Sequence, residues 1–417
     1  MNLYRLELKR VCKTRMTAIL LAIALVLAVV MAYLPVTFIG WTELDASGNE
    51  VRYTGLKAIR KRQEQQVSGT ITPDVMQEAL EAYQRVYRQH DASSINDIPV
   101  EVFYKELARY QPLVNNAKEA FADPKTGMAP GVMGLTAEDM QNFYSQLPKR
   151  LKSVIWLEQS GKPGYEQAQA IAQKKFDAVQ KPFTYSFGVS SDAMDYQTLL
   201  SLLLTLLCAV IAAPVFASDA QTGAQDIQLC TKNGGLRLAA AKLAAAFSIT
   251  GAAYLLCGVV WILVTNALFG WESTQTSVQW LFSVTSLLPY TVGQMEWVML
   301  VANFLIFFAE VAFVLMASVW AKNNLTALSV ALISVVAPLI VYMVVPGSFG
   351  EWLSTLLPAG GIGLSNALMY KMIGFDFLYA GGHAFFQADV LLASAPIKIV
   401  LLVGLAAWGY LRKTKVA

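Results

Sequence analysis

Six stretches of this chain each approach the ~20 apolar residues that a helix needs to cross a bilayer. They are Met16 to Ile39, Leu199 to Ala217, Leu243 to Leu268, Trp297 to Ala321, Leu325 to Val345 and about Val390 to Tyr410. No other feature restricts the fold as strongly, because in hydrocarbon every backbone N–H and C=O must be satisfied within its own segment, which leaves the helix as the structure of each run. The fourth run is interrupted by Glu310, and the sixth carries Pro396 and Lys398, so its ends are the least sharply drawn.

Charge is concentrated in other places. Residues 42–194 contain 18 of the 32 Lys and Arg and 19 of the 29 Asp and Glu, and the remaining 264 positions share 14 basic and 10 acidic residues. The chain therefore joins two materials, an apolar body and a nearly neutral polar block, and the formal charge of +3 arises in the apolar body. A basic excess there marks the cytoplasmic edges of spans and not a nucleic-acid surface, so no nucleic-acid partner is expected. Cys12, Cys208, Cys230 and Cys257 have no C-x-x-C spacing, and His90 and His383 are too few for an H-E-x-x-H site. Neither a disulfide frame, a metal nor a cofactor is expected.

Orientation follows from the short flanks. Arg5, Lys9, Arg10, Lys13 and Arg15 precede the first run, and Lys232, Arg237 and Lys242 lie between the second and third. Lys322 separates the fourth from the fifth, and Arg412, Lys413 and Lys415 follow the sixth. Threading six spans puts all four groups on one side, so both termini are expected in the cytoplasm of a cell whose plasma membrane the chain crosses, with the 42–194 block extracellular. A cleaved signal peptide is the competing reading of the first run, but Met16 to Ile39 is longer than a typical signal core.

The external block reads as a helical domain. Val75, Leu80, Tyr83, Val86 and Tyr87 recur at helical spacing, as do Phe103, Leu107 and Tyr110. Thr72-Pro73 supplies a cap and a first-turn proline, and Thr136 to Asp139 resembles a capping box ahead of Met140, Phe143 and Leu147. Breakers fall at 123–127 and 160–164. The many Tyr and Phe residues of the block are expected to fill its core and not to line a ligand site.

No G-x-x-x-x-G-K-[ST] loop occurs, so if ATP drives this protein a separate chain binds it. The segment between the second and third spans is the most informative. Asp219 lies just beyond the second span, followed by Thr222-Gly223, an apolar run ending in Thr231-Lys232-Asn233-Gly234, and Arg237 leading into Ala240-Ala241-Lys242-Leu243. Its first half suits a short interfacial helix, broken at Gly234-Gly235 and restarted at Leu236. This segment resembles the cytoplasmic coupling segment of the permease subunits of type-2 ATP-binding-cassette (ABC) exporters. Leu3 to Arg10 resembles the amphipathic N-terminal helix of that family, and Ser318 to Asn324 its tight turn between the fourth and fifth spans. The likeness covers the apolar body and leaves the external block unassigned.

The apolar runs, the helical spacing of the polar block and the resemblance together lead to an expected all-α polytopic membrane protein with six transmembrane helices plus an external helical domain. Residues 1–41 would form the N-terminal helix and first span, 42–194 the external domain, and 195–417 the five-span membrane domain, with coupling segment 218–237 and an external re-entrant or interfacial segment 346–389. Two permease subunits, as a homodimer or heterodimer in membrane lipid, would dock two cytoplasmic ABC ATPase subunits through Asp219, Asp226, Ile227, Leu229, Lys232 and Arg237. Such a subunit has no ATPase site of its own, and its cargo could be a peptide, drug, lipid or polysaccharide. The plain alternative for the segment is a solvated loop obeying the positive-inside rule.

Two other functions stay open: a mechanotransmission or sensory protein that uses the same ATPase without transport, and an ion-coupled secondary transporter centred on Glu310. An ionised carboxylate there costs at least ~3 kcal/mol unless it faces a cavity or a partner. Glu310 is either a cavity-lining, proton-linked group or an interhelical contact, with Asn266, Asn303 or Ser318 as conceivable partners. Lys398 is expected to snorkel. Residues 346–363 are cut by Pro and Gly into pieces too short to cross, and Trp280 to Tyr290 is expected on the same outer surface.

Overall fold

A computed structural model describes residues 3–45 and 49–414; Lys415 lies outside them. The fold is helical throughout, with minor strands, and six of its helices are long and apolar enough to cross a membrane.

The chain opens with α1 (Leu3–Cys12), which leads through a short turn into the first long helix, α2 (Arg15–Phe38). On α2, Ala24, Ala28 and Ala32 recur every fourth residue and are buried. Small side chains on one stripe let neighbouring backbones approach, and α2 packs there against α10 (Ser191–Ala212) and α13 (Leu236–Phe269). The central helix is α15 (Val292–Trp320), in contact with α10, α13, α16 (Asn324–Val344) and α19 (Gln387–Thr414). Gly258 and Gly251 of α13 permit the α13–α15 contact: a Cβ would lie 2.3 Å from Leu300 Cδ1 at Gly258 and 2.9 Å from the Phe308 ring at Gly251. The outward faces of α16 and α19 remain apolar and exposed, with Ile333, Met343, Val400 and Leu401 among their residues. That is the pattern of helices facing hydrocarbon.

Several helices extend past their apolar runs. α10 starts eight residues before Leu199 because Ser190 caps it, accepting from the Ala193 N–H, so its first turns rise above the bundle. α13 starts at Leu236, after Gly235, and α15 starts at a capping box in which Thr291 and Gln294 satisfy each other's backbone N–H groups.

The polar block is a folded domain running from Gly40 to the start of α10. It begins with a hairpin of β1 (Gly40–Leu44) and β2 (Glu50–Thr54), then α3 (Leu56–Gln65). A short β3 (Gly69–Thr70) pairs with β4 (Thr184–Tyr185), closing the domain's two ends on each other. Between them run α4 (Pro73–Gln89), α5 (Val100–Val102), α6 (Gln111–Ala120), α7 (Ala137–Gln141), α8 (Phe143–Gln159) and α9 (Tyr165–Asp177). Both expected start signals are found: Thr72 caps α4 with Pro73 in the first turn, and Thr136 and Asp139 form a capping box on α7. The Phe103–Tyr110 stretch departs from a regular helix, passing through a π turn and a 3₁₀ turn, yet still buries Leu107 and Tyr110. Tyr83, Tyr110 and Phe143 are core residues, and the Tyr144 hydroxyl donates to the Ile71 carbonyl at 2.5 Å.

The segments joining the long helices at the end of the bundle that carries the polar domain differ most from expectation. Within Trp280 to Tyr290 only Trp280 and Leu281, the end of α14 (Val278–Leu281), are helical, and Trp280, Val284 and Leu287 are buried and not spread over an interface. Residues 346–389 contain α17 (Gly347–Leu356) and α18 (Leu368–Ile373), as short helices should, but also a hairpin of β5 (Phe377–Ala380) and β6 (His383–Phe386). Gly381 and Gly382, both at positive φ, supply its two-residue turn.

Candidate functional site

The chain between the second and third long helices folds into α11 (Pro214–Gln221) and α12 (Ala224–Leu229), separated by Gly223 in the left-handed conformation. Pro214 opens α11, and its first N–H groups find a partner on another helix. Ser318 of α15 accepts from the N–H groups of Phe216 and Ala217 and donates to the Ala213 carbonyl. That hydroxyl holds the bend between α10 and α11.

Asp219, one turn further on, is buried and forms the centre of a charge cluster. Arg10 of α1 places Nη1 at 2.8 and 3.0 Å from its two carboxylate oxygens and Nη2 at 2.9 Å from the Val215 carbonyl, while Glu7 forms an ion pair with Arg10, Oε2 to Nε at 2.8 Å. From the other side Lys242 of α13 donates to Asp219, and also to Gln228 of α12 at 3.1 Å. The Lys242 ammonium is fully buried, 5.4 Å from the Phe216 ring centroid and 6.0 Å from that of Tyr410. Two cations and two carboxylates thus tie α1, α11, α12 and α13 into one unit. Buried charges of this kind are tolerated only when paired and hydrogen-bonded.

The predicted docking residues separate into two groups. Asp219 does not face outward; it is the buried anchor of the cluster, which corrects its assignment as a contact residue. Ile227 is 75% exposed, and Asp226, Lys232 and Arg237 are exposed as well, with Arg237 Nη1 donating to Asn233 Oδ1 at 3.3 Å. Leu229 is half-buried and lines a cleft of about 550 Å³ with Asp226, Trp320, Arg412 and Lys413. Lys413 donates to the Val319 carbonyl at 2.6 Å, and Gln221 accepts from the Asn324 N–H at 3.0 Å, so the α15–α16 turn adjoins the same face. Arg10, Gln228 and Lys242 were absent from the predicted set. For Lys242 a signal existed, since a lysine inside a run of alanines and leucines needs a partner.

Glu310 is fully buried and pairs with neither Asn266, Asn303 nor Ser318. Its partner is Ser334 of α16, whose hydroxyl lies 2.5 Å from Oε1 and also 2.8 Å from the Ala331 carbonyl. Asn266 instead donates to Glu296 at 2.6 Å, a second buried acid one residue before the expected start of the fourth span. Lys398 does not snorkel: its ammonium donates to the carbonyls of Thr355 and Leu357, both at 3.0 Å, capping the end of α17.

At the opposite end of the bundle the polar domain is fastened by polar contacts. Glu119 of α6 accepts from the Ser283 hydroxyl at 2.5 Å and the Val284 N–H at 3.4 Å, and burial holds its carboxyl above the usual range against these two bonds and the Arg150 charge. Lys175 of α9 pairs with Asp389 at 3.1 Å, and Gln159 donates to the Phe375 carbonyl at 2.8 Å. Among the described residues there is no disulfide and no group of three His, Cys, Asp or Glu that could hold a metal. No protein-family model and no curated protein matches the chain.

Proposed function

We propose that the chain is the membrane subunit of an ATP-driven exporter of the type-2 ABC class, working as a dimer in the cell membrane with its ATPase on separate chains. Under this reading α1, the α11–α12 segment and both chain ends face the cytoplasm, and residues 40–190 stand outside the cell. The observation that carries it is the pairing of a rigid base with an exposed tip. The Arg10–Asp219–Lys242 cluster fixes α11 and α12 to the ends of two other helices, while Ile227 projects from α12 with most of its surface free. A lever needs both parts: the tip fits an apolar notch on a soluble partner, and the anchored base passes that partner's movement to the spans. A merely solvated loop needs neither.

Affinity purification from native membranes tests the reading. It predicts recovery of a chain containing a G-x-x-x-x-G-K-[ST] loop; recovery of the protein with no ATP-binding partner would overturn it.

A second reading has its own support. The external domain is joined to the bundle at Glu119–Ser283, Lys175–Asp389 and Gln159–Phe375, contacts suited to passing motion of the spans to the domain. This favours a mechanotransmitter that acts on a surface partner without moving cargo. ATP-dependent accumulation of cargo in inverted vesicles would exclude that alternative, whereas ATP hydrolysis with movement of the external domain alone would support it. The direct Glu310–Ser334 bond supports an interhelical contact over a secondary transporter centred on Glu310.

A further inference from the structure

A cleft of about 920 Å³ separates α9 of the external domain from the outer end of the membrane bundle. Its floor is hydrocarbon: Leu287, Leu288, Met372 and Phe386, and, on the first turns of α19, Val390 and Leu392. Its rim is polar, with Lys174 and Lys175 on α9 and Asp389 on α19. Lys175 is engaged, paired with Asp389 at 3.1 Å and stacked 4.3 Å from the centroid of the Phe386 ring, and Lys174 is exposed. Two lysines against one aspartate leave the cleft with a formal charge of +1.

Position supplies the second part of the argument. The floor residues of α19 belong to a membrane-spanning helix just where its apolar run begins, so the mouth opens at the depth where lipid headgroups meet acyl chains. Trp352, with its ring centroid 5.9 Å from that of Phe385 on the lip, places an aromatic pair at the same level. The volume lies at the upper end of the ~300–1,000 Å³ typical of ligand pockets. An occupant must present a hydrocarbon portion downward and one negative charge upward. We propose that this cleft binds one anionic phospholipid of the leaflet that adjoins the external domain, with acyl chain against Leu392 and Met372 and phosphodiester beside Lys174. The inference needs only the membrane placement of the chain and is independent of any ATP-driven reading. A lipid seated there contacts α9 and α19 together, so its presence stiffens the joint between domain and span.

Photolabelling tests this on the full chain in nanodiscs of phosphatidylcholine doped with phosphatidylglycerol carrying a diazirine in its acyl chain. The expected result is adducts concentrated on Met372 and residues 384–393, competed by unlabelled phosphatidylglycerol. They should fall at least five-fold in Lys174→Glu, an exposed position that leaves folding intact, and in Ala393→Trp, which fills the floor. Labelling spread evenly over the lipid-facing surfaces of α2 and α16 would overturn the proposal. Equal labelling by phosphatidylcholine carrying the same diazirine, unaffected by Lys174→Glu, would overturn its anionic part, and a second copy or peptide recovered across the cleft would replace the lipid as occupant.

Discussion

Lys242 and Asp219, 23 residues apart on two different helices, meet as a buried ion pair at the point where α11 leaves the bundle, and Arg10 of α1 closes on the same carboxylate. The arrangement joins the first helix of the chain to the segment proposed to receive force. Its energetics are those of a buried charge cluster: removing one member costs more than removing the whole.

Asp219→Ala should therefore destabilise the purified protein by about 3–5 kcal/mol, because it strands a fully buried lysine. Lys242→Met should be milder, since Asp219 keeps Arg10, and the double variant Asp219→Ala/Lys242→Met should recover much of the loss. Thermal unfolding in detergent measures all three. A double variant at least as unstable as Asp219→Ala would show that the pair is not the anchor.

The Glu310–Ser334 contact gives an equally sharp contrast. Ser334→Ala leaves a buried carboxyl without its hydroxyl partner and should cost ~1–3 kcal/mol, the usual penalty for an orphaned polar group. Glu310→Gln keeps an acceptor for Ser334 and removes the chance of a buried charge, so its unfolding temperature should match or exceed that of the parent. If instead Glu310→Gln abolished activity at unchanged stability, Glu310 would be a functional group and not an interhelical contact.

The joint between domain and bundle should respond to pH through Glu119. Its carboxyl is held above the ordinary value by burial, so the folded state binds its proton more tightly than the unfolded chain. The stabilisation is fully present below the ordinary Glu value of about 4.3 and is lost as pH rises through the raised folded value. Glu119→Gln removes that dependence. Unfolding temperatures compared from about pH 4 to about pH 8 should show the parent losing stability relative to Glu119→Gln as pH rises; a difference that grows in the parent's favour would contradict the assignment.

The spans were legible because a run such as Met16 to Ile39 has one way to satisfy its backbone in hydrocarbon, and the caps at Thr72 and Thr136 were legible because capping is local. What the residues hid was pairing across the bundle. Glu310 announces that it needs a partner, but Ser334 becomes that partner only through the way α15 and α16 pack, which no spacing encodes. Asp219 likewise read as a surface acid because its two cations lie 209 positions before it and 23 after it. The 377–386 hairpin was within reach: Gly381-Gly382 between two aromatic-rich tetrapeptides is a turn signal, masked by the expectation of interfacial helices. Ile227, by contrast, was picked out from the residues alone, and it is among the most exposed large apolar side chains of the protein.

The central claim is that the α11–α12 tip receives an ATPase. It is tested most directly by the ATPase activity of the complex isolated from native membranes, compared between the parent and Ile227→Asp and Asp226→Arg. Both substitutions change exposed side chains outside the charge cluster, so the chain itself should fold and reach the membrane normally. The account predicts that each loses the bound ATPase or at least ten-fold of the ATPase activity that depends on this chain; unchanged activity with the partner still bound would contradict it.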